Sequence, residues 1–200
     1  MKKLPVYLVL FAFTLSLLAR EPKVLLHEET LPLIASPAFS GPLDESFSTA
    51  KGKWTPAEGE LVVLNLPEEK HIPVLHHKVG LESAVIEVEF FMETSGSFLV
   101  GCDSDQHVGR VVINAAGMSI AEDSVKPSHT IATLKHEIKT GQWHQLRVEW
   151  KGDEMAASLD GEELRAQHAY LAKAKNRSWL AAGDGVRVRH LKISGVKTGS

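Results

Sequence analysis

Polar and apolar residues alternate along much of this chain, most clearly over residues 141–164. Leu146, Val148 and Trp150 alternate with Gln145, Arg147 and Glu149, the period of two that marks a half-buried strand. Lys151-Gly152-Asp153 supplies a turn, and Met155, Ala157 and Leu159 then resume the alternation. Asp160-Gly161 is the signal for a second tight turn of type I′. The stretch therefore predicts two antiparallel strands, the start of a third, and one buried face.

The rest of the chain extends that pattern. Over 84–93, Ile86, Val88, Phe90 and Met92 face one way, and Val85, Glu87, Glu89, Phe91 and Glu93 the other. Residues 98–102 and 108–114 form a hairpin around Asp103-Ser104-Asp105-Gln106. Ala115-Ala116-Gly117 turns the chain back through 118–121. A polar loop at 124–130, containing Pro127, leads to a strand at 131–138. Residues 61–64 read as a strand, and 71–79 as an extended piece that Pro73 confines to an edge. Val24-Leu25-Leu26 is a first strand or a linker. Pro32, Pro37, Gly41 and Pro42 keep the following residues irregular, with Phe39 and Phe47 tucked into an edge. Over 167–177 the alanines and lysines favour helix, but the position between strands favours a loop with at most a turn or two. Residues 178–182 and 186–193 close the sheet. Val186 and Val188 share one parity and Leu191 and Ile193 the other, so a bulge near Arg189-His190 is needed to turn all four inward. About ten short strands with no long helix predict an all-β protein, an antiparallel two-sheet β-sandwich.

Composition adds a leader and removes a partner class. Lys2 and Lys3 precede an apolar run over 4–19, the charged and apolar regions of an export signal. The run is shorter than the ~20 residues of a membrane span and contains Pro5. Ala19 suits the position before a cut, whereas Leu17 is large for the −3 position, so a cleaved leader and a retained anchor both stay open. Residues 1–19 are thus the signal peptide, 20–43 a linker or edge segment, 44–196 the sandwich and 197–200 a tail. An exported protein, periplasmic or extracellular, with no membrane span once the leader is removed, is the expectation. The formal net charge of −3 lacks the basic field of a nucleic-acid binder. Cys102 is the sole cysteine, so no internal disulfide forms, and it reads as a small buried hydrophobe. Nothing in the pattern fixes the oligomeric state.

Gly141-Gln142-Trp143-His144, the alternating strand after it, the Asp160-Gly161 turn and the closing residues 186–193 resemble the concanavalin A-like, laminin-G-like jelly-roll superfamily. The nearest resemblance is to the family named for 3-keto-disaccharide hydrolase. Its members show Gly-x-Trp-Asn before the central strand, Asn-Gly at the following turn and Arg-Asn-Ile in the last strand. The counterparts here are Trp143-His144, Asp160-Gly161 and Arg189-His190-Leu191, and residues 47–64, with Trp54 and Gly59, resemble the family's start. The resemblance covers residues 44–196 and implies a concanavalin A-like jelly roll, export and a role near carbohydrate. The family's Leu-Phe-Asn-Gly opening and Ser-Gly-x-x-x-Arg strand are absent, and no catalytic residue is placed by matching.

The candidate chemistry follows the turns and faces. Glu87, Glu89 and Glu93 share a strand face on which two carboxylates about 5 Å apart would run retaining glycoside hydrolysis, but their spacing misfits that geometry. Asp103, Asp105 and His107, with Arg110 just after, form a hairpin that makes Ca²⁺ the one candidate ion, against a plain polar turn. Ten histidines are scattered without zinc-type spacing, and the surface or a hydrogen bond is the expected place for each. Trp150 reads as core and Trp143 as a plug at the sandwich end, leaving Trp54 and Trp179 as candidates to stack on a sugar. Binding of an oligo- or polysaccharide without catalysis is the leading expectation. A glycoside-cleaving enzyme and a structural envelope module are the alternatives.

Overall fold

The structure, a computed structural model, describes residues 25–199; the leader lies outside the described residues. Fifteen strands are described: β1 (Leu33–Ala35), β2 (Phe47–Lys51), β3 (Lys53–Ala57), β4 (Glu60–Leu64), β5 (Val74–His77), β6 (Leu81–Met92), β7 (Ser97–Asp103), β8 (His107–Asn114), β9 (Gly117–Glu122), β10 (His129–Lys135), β11 (Trp143–Lys151), β12 (Glu154–Leu159), β13 (Glu162–Gln167), β14 (Arg177–Ala182) and β15 (Val186–Lys197). They build two antiparallel sheets. The first has the order β13-β12-β11-β6-β15-β4-β3, with β1 beside the far end of β15. The second has the order β10-β9-β8-β7-β14-β5-β2. The core lies between them, where Phe90 of β6 stacks on Phe98 of β7 at 4.6 Å between ring centroids. Among the described residues no helix is long and apolar enough to cross a membrane.

The organising hairpin forms as its residues dictate. Leu146, Val148 and Trp150 are buried on β11, and Leu159 pairs with Glu162 across a two-residue turn. Asp160 and Gly161 take φ of 51° and 91°, the positive pair a type I′ turn demands. Asp160 also ties the turn to the start of β11. Its Oδ1 accepts from the Gln145 N–H at 2.8 Å, and its Oδ2 lies 2.6 Å from His144 Nδ1. The bulge in β15 falls at the expected place. Arg189 pairs with Glu89 and Lys192 with Glu87, so β15 carries one extra residue there, and His190 takes φ 51°. Val186, Val188, Leu191 and Ile193 are all buried as a result.

Some expectations needed correction. The strands outnumber the ten read from the pattern, because short pieces such as Leu33–Ala35 and Phe47–Lys51 find ladder partners in β15 and β5. Between β2 and β3 the chain changes sheets through Gly52 alone, at φ 65°, where a Cβ would come within 2.6 Å of Pro73. The strand expected at 131–138 runs instead over His129–Lys135. The ambiguous 167–177 stretch holds one 3₁₀ turn, Ala169–Ala172. Trp143 does not plug the sandwich end. It has the parity of Gln145 and Arg147, so it lies on the outer face of the first sheet beside Phe91, with the Arg189 guanidinium 4.0 Å from its ring centroid.

Candidate functional site

The outer face of the second sheet carries the densest polar constellation. Phe98, Val100 and Cys102 of β7 point into the core, so Leu99, Gly101 and Asp103 point out. The register sets a row across the sheet: His76 opposite Trp179, Trp179 opposite Gly101, and Gly101 opposite Arg110. One step along, Asp103 sits between Arg177 of β14 and His107 of β8. Gly101 opens room in the row. A Cβ there would lie 2.2 Å from Trp179 Cζ2, so the indole lies over the bare β7 backbone. Its Nε1–H then donates to Asp103 Oδ1 at 2.6 Å.

Asp103 is the hub. It lies on an outward face yet is only 2% exposed, roofed by its own donors. His107 Nδ1 stands 2.7 Å from Oδ1, and Arg177 Nε donates to Oδ2 at 2.9 Å. Burial pushes the Asp103 carboxyl up, but the hydrogen bonds from His107, Trp179 and Arg177 and the His107 charge outweigh it and hold the group below the ordinary aspartate value. The same contact to Asp103 raises His107, against a smaller opposing effect of burial. His76, across the row, is pushed down by burial and by the Arg177 charge. Beside this group Arg110 pairs with Asp123 and donates to Ser128 Oγ, which in turn donates to Asp123. His107 remains half exposed, and Arg177 commits only Nε to Asp103. The imidazole and the guanidinium are therefore held in place while 55% and 39% of their side chains stay exposed, an arrangement able to recognise hydroxyl or carboxylate oxygens.

Four of the sequence candidates meet here: Asp103, His107, Arg110 and Trp179. Their roles differ from those expected. Both Asp103 oxygens are occupied by N–H donors and Asp105 is exposed, so the hairpin does not gather the oxygen cage that Ca²⁺ takes. Trp179 is 5% exposed beneath its neighbours, with His107 at 5.3 Å between centroids, and offers no free ring for stacking. Trp54 is also buried, because its parity on β3 turns it to the core opposite Val63. Glu87 and Glu89 lie on the other sheet in cross-strand ion pairs: Glu87 with Arg147 at 2.8 Å and Lys192 at 3.3 Å, Glu89 with Arg189 at 2.6 Å and His190 at 3.1 Å. They act there as ladder acids rather than as a free catalytic pair.

The sequence reading missed several residues. Arg177, His76 and Asp123 join the face only through strand pairing, and no local signal marks them. Cys102 fits its expected role: it is buried, and burial raises its thiol to about 12. Two of the histidines, on the surface and hydrogen-bonded as expected, are brought together at one corner with a buried acid. Glu122, His129 and His168 bring one possible ligand atom each to within 4.8 Å of one another.

The chain matches no protein-family model and no curated protein. It is similar to solved structures. Carbohydrate-binding module CBM66 from Bacillus subtilis aligns with a TM-score of 0.60 and 12% identity over 75% of this chain and 96% of that one. A protein of unknown function with a galectin-like fold, also from Bacillus subtilis, gives 0.62 and 6% over 83% and 97%. SCLam, a non-specific endo-β-1,3(4)-glucanase of family GH16, gives 0.58 and 10% over 82% and 92%. Identities this low establish the fold alone. The fold is a concanavalin A-like, galectin-like β-sandwich: the strand pattern predicted the two-sheet sandwich, and the resemblance implied its concanavalin A-like form.

Proposed function

We propose that this chain is an exported, non-catalytic β-sandwich protein that binds glycan across the outer face of its second sheet, with His107 and Arg177 as the principal contacts. The observation that carries this reading is the buried Asp103 carboxylate, which fixes two donor-bearing side chains on a solvent-facing sheet. A structural role alone does not call for donors held half exposed at fixed positions; recognition of a hydroxyl-rich ligand does. CBM66 is named as carbohydrate-binding and shares the fold, which supports the ligand class. The charged and apolar leader at 1–19 supports export to the periplasm or cell exterior. A glycoside-cleaving activity like that of 3-keto-disaccharide hydrolase is the weaker reading, since Glu87 is held by Arg147 and Lys192 and Glu89 by Arg189 and the His190 imidazole.

Calorimetric titration and thermal unfolding against an oligosaccharide panel test the proposal. A ligand at 100 times its dissociation constant raises the unfolding midpoint of a domain this size by roughly 5–10 °C. Arg177→Ala and His107→Ala are expected to abolish that shift while Arg189→Ala, on the opposite sheet, keeps it. A panel without any shift overturns the reading, and product formation in the same mixtures would replace binding with hydrolysis.

A further inference from the structure

Glu122 ends β9, His129 begins β10, and His168 directly follows β13. The first two belong to the second sheet and the third to the edge of the first, so the three meet where the sheets adjoin. Glu122 shares the parity of Met118 and Ile120 on β9 and is completely buried. Its Oε1 lies 3.1 Å from His129 Nδ1, and its Oε2 lies 3.8 Å from His168 Nδ1. Ser124 donates its N–H and its hydroxyl to the same carboxylate at 2.6 and 2.9 Å. Desolvation pushes Glu122 up, but the two Ser124 bonds and the two imidazoles hold it below the ordinary value. Among the described residues no Lys or Arg pairs with it. A completely buried carboxylate that brings two imidazoles, one of them exposed, to within 4.8 Å of one ligand position offers a cation a ready-made set of donors.

We propose that Glu122, His129 and His168 form a binding site for a divalent transition metal, zinc by preference, that joins the two sheets at their edge. The donor set decides the class of ion. Two imidazoles and one carboxylate suit zinc and its neighbours, whereas calcium and magnesium want oxygen alone. The spacing is close to what zinc needs. Tetrahedral zinc with bonds of about 2.0–2.2 Å holds its ligand atoms roughly 3.4 Å apart, and one ligand atom from each of the three residues lies within 4.8 Å of the others, with one imidazole against each oxygen of the carboxylate. The Ser124 bonds supply the outer support that ligating carboxylates use. His129 is 56% exposed, so an ion can reach the site from solvent. The Tyr170 N–H now reaches His168 Nδ1 at 3.3 Å, a long contact that metal binding would replace. The site adjoins the Arg110–Asp123–Ser128 group, since Asp123 follows Glu122 and Ser128 precedes His129, but it shares no side chain with the proposed glycan contacts His107 and Arg177.

Zinc titrated calorimetrically into the full chain, first stripped with chelator, tests the site. One equivalent is expected to bind, and saturating zinc is expected to raise the unfolding midpoint on the order of 5–10 °C. His129→Ala removes an exposed ligand from a strand end and should leave the metal-free midpoint nearly unchanged while weakening zinc at least tenfold. Glu122→Gln should do the same to zinc, and cobalt substituted into the wild type should give the intense visible bands of a four-coordinate ion. Absence of stoichiometric zinc binding overturns the proposal. So does binding that His129→Ala and His168→Ala leave intact, which would assign the metal to other histidines.

Discussion

Asp103 shows how one residue converts a strand end into a recognition device. Its carboxylate would be solvated on an ordinary outward face. Three donors bury it instead, and each donor is thereby held still. The charge balance makes this arrangement depend on pH. His107 is raised from its ordinary 6.5, so its contribution to stability is complete below that value and is lost as pH rises through the folded midpoint. Asp103 is lowered from 3.8, so its contribution is complete above that value and is lost as pH falls through its own folded midpoint. The pair is therefore most stabilising between about pH 4 and 6.5. Asp123 also raises His107, and Arg110 opposes it. The His107 imidazole, followed by NMR, should titrate above 6.5 in the wild type and return toward that value in Asp103→Asn. In parallel, the stability lost in His107→Gln should be greatest near pH 5 and shrink toward pH 8. Equal NMR midpoints in wild type and Asp103→Asn would show that Asp103 does not govern the imidazole.

At the scale of elements, the contact of β7 with β14 sets the face, and Gly101 permits it. In Gly101→Ala the new methyl would occupy the space of Trp179 Cζ2, and rigid strand backbone leaves the indole as the part that moves. The expected cost is about 1–3 kcal/mol. Trp179 emission should shift to the red, and the Asp103 network should lose its Nε1 donor. An unshifted spectrum would mean that the backbone yields instead. The same contact marks what sequence could reveal. The β11–β12 hairpin, the Asp160-Gly161 turn and the β15 bulge were legible because each is encoded within a few residues, by alternation, by positive φ or by a parity change. Trp179 looked available for stacking because its cover comes from β7 and β8, remote in sequence. Arg177 closed a stretch that could be read only as helix or loop, and His129 and His168 were two of ten scattered histidines, because only strand order brings them to their partners.

For the whole molecule, the least expected feature is the strap that precedes β1. Glu149 has the parity of Gln145 and Arg147 and should face solvent, yet it is completely buried. The N–H groups of Leu26 and His27 donate to its Oε2 at 2.8 and 3.0 Å, and Arg147 Nε donates to Oε1 at 2.6 Å. His27 Nε2 lies 3.1 Å from the Trp150 carbonyl, and Leu25 is buried beside them. The segment before β1 therefore belongs to the first sheet's outer layer. A chain beginning at residue 28 loses two bonds to a charged acceptor and the burial of Leu25, offset in part by renewed hydration of Glu149. The net expectation is a loss of about 2–4 kcal/mol, or roughly 5–15 °C in the unfolding midpoint. A chain beginning at residue 20, as a cut after Ala19 would leave, retains every one of these contacts and should match the stability of the uncut chain. Glu149→Gln should weaken the strap without removing it, and so should fall between the two. Equal midpoints for the chains beginning at 20 and at 28 would mean that the strap only rests on the sheet, and that Glu149 owes its stability to Arg147 alone.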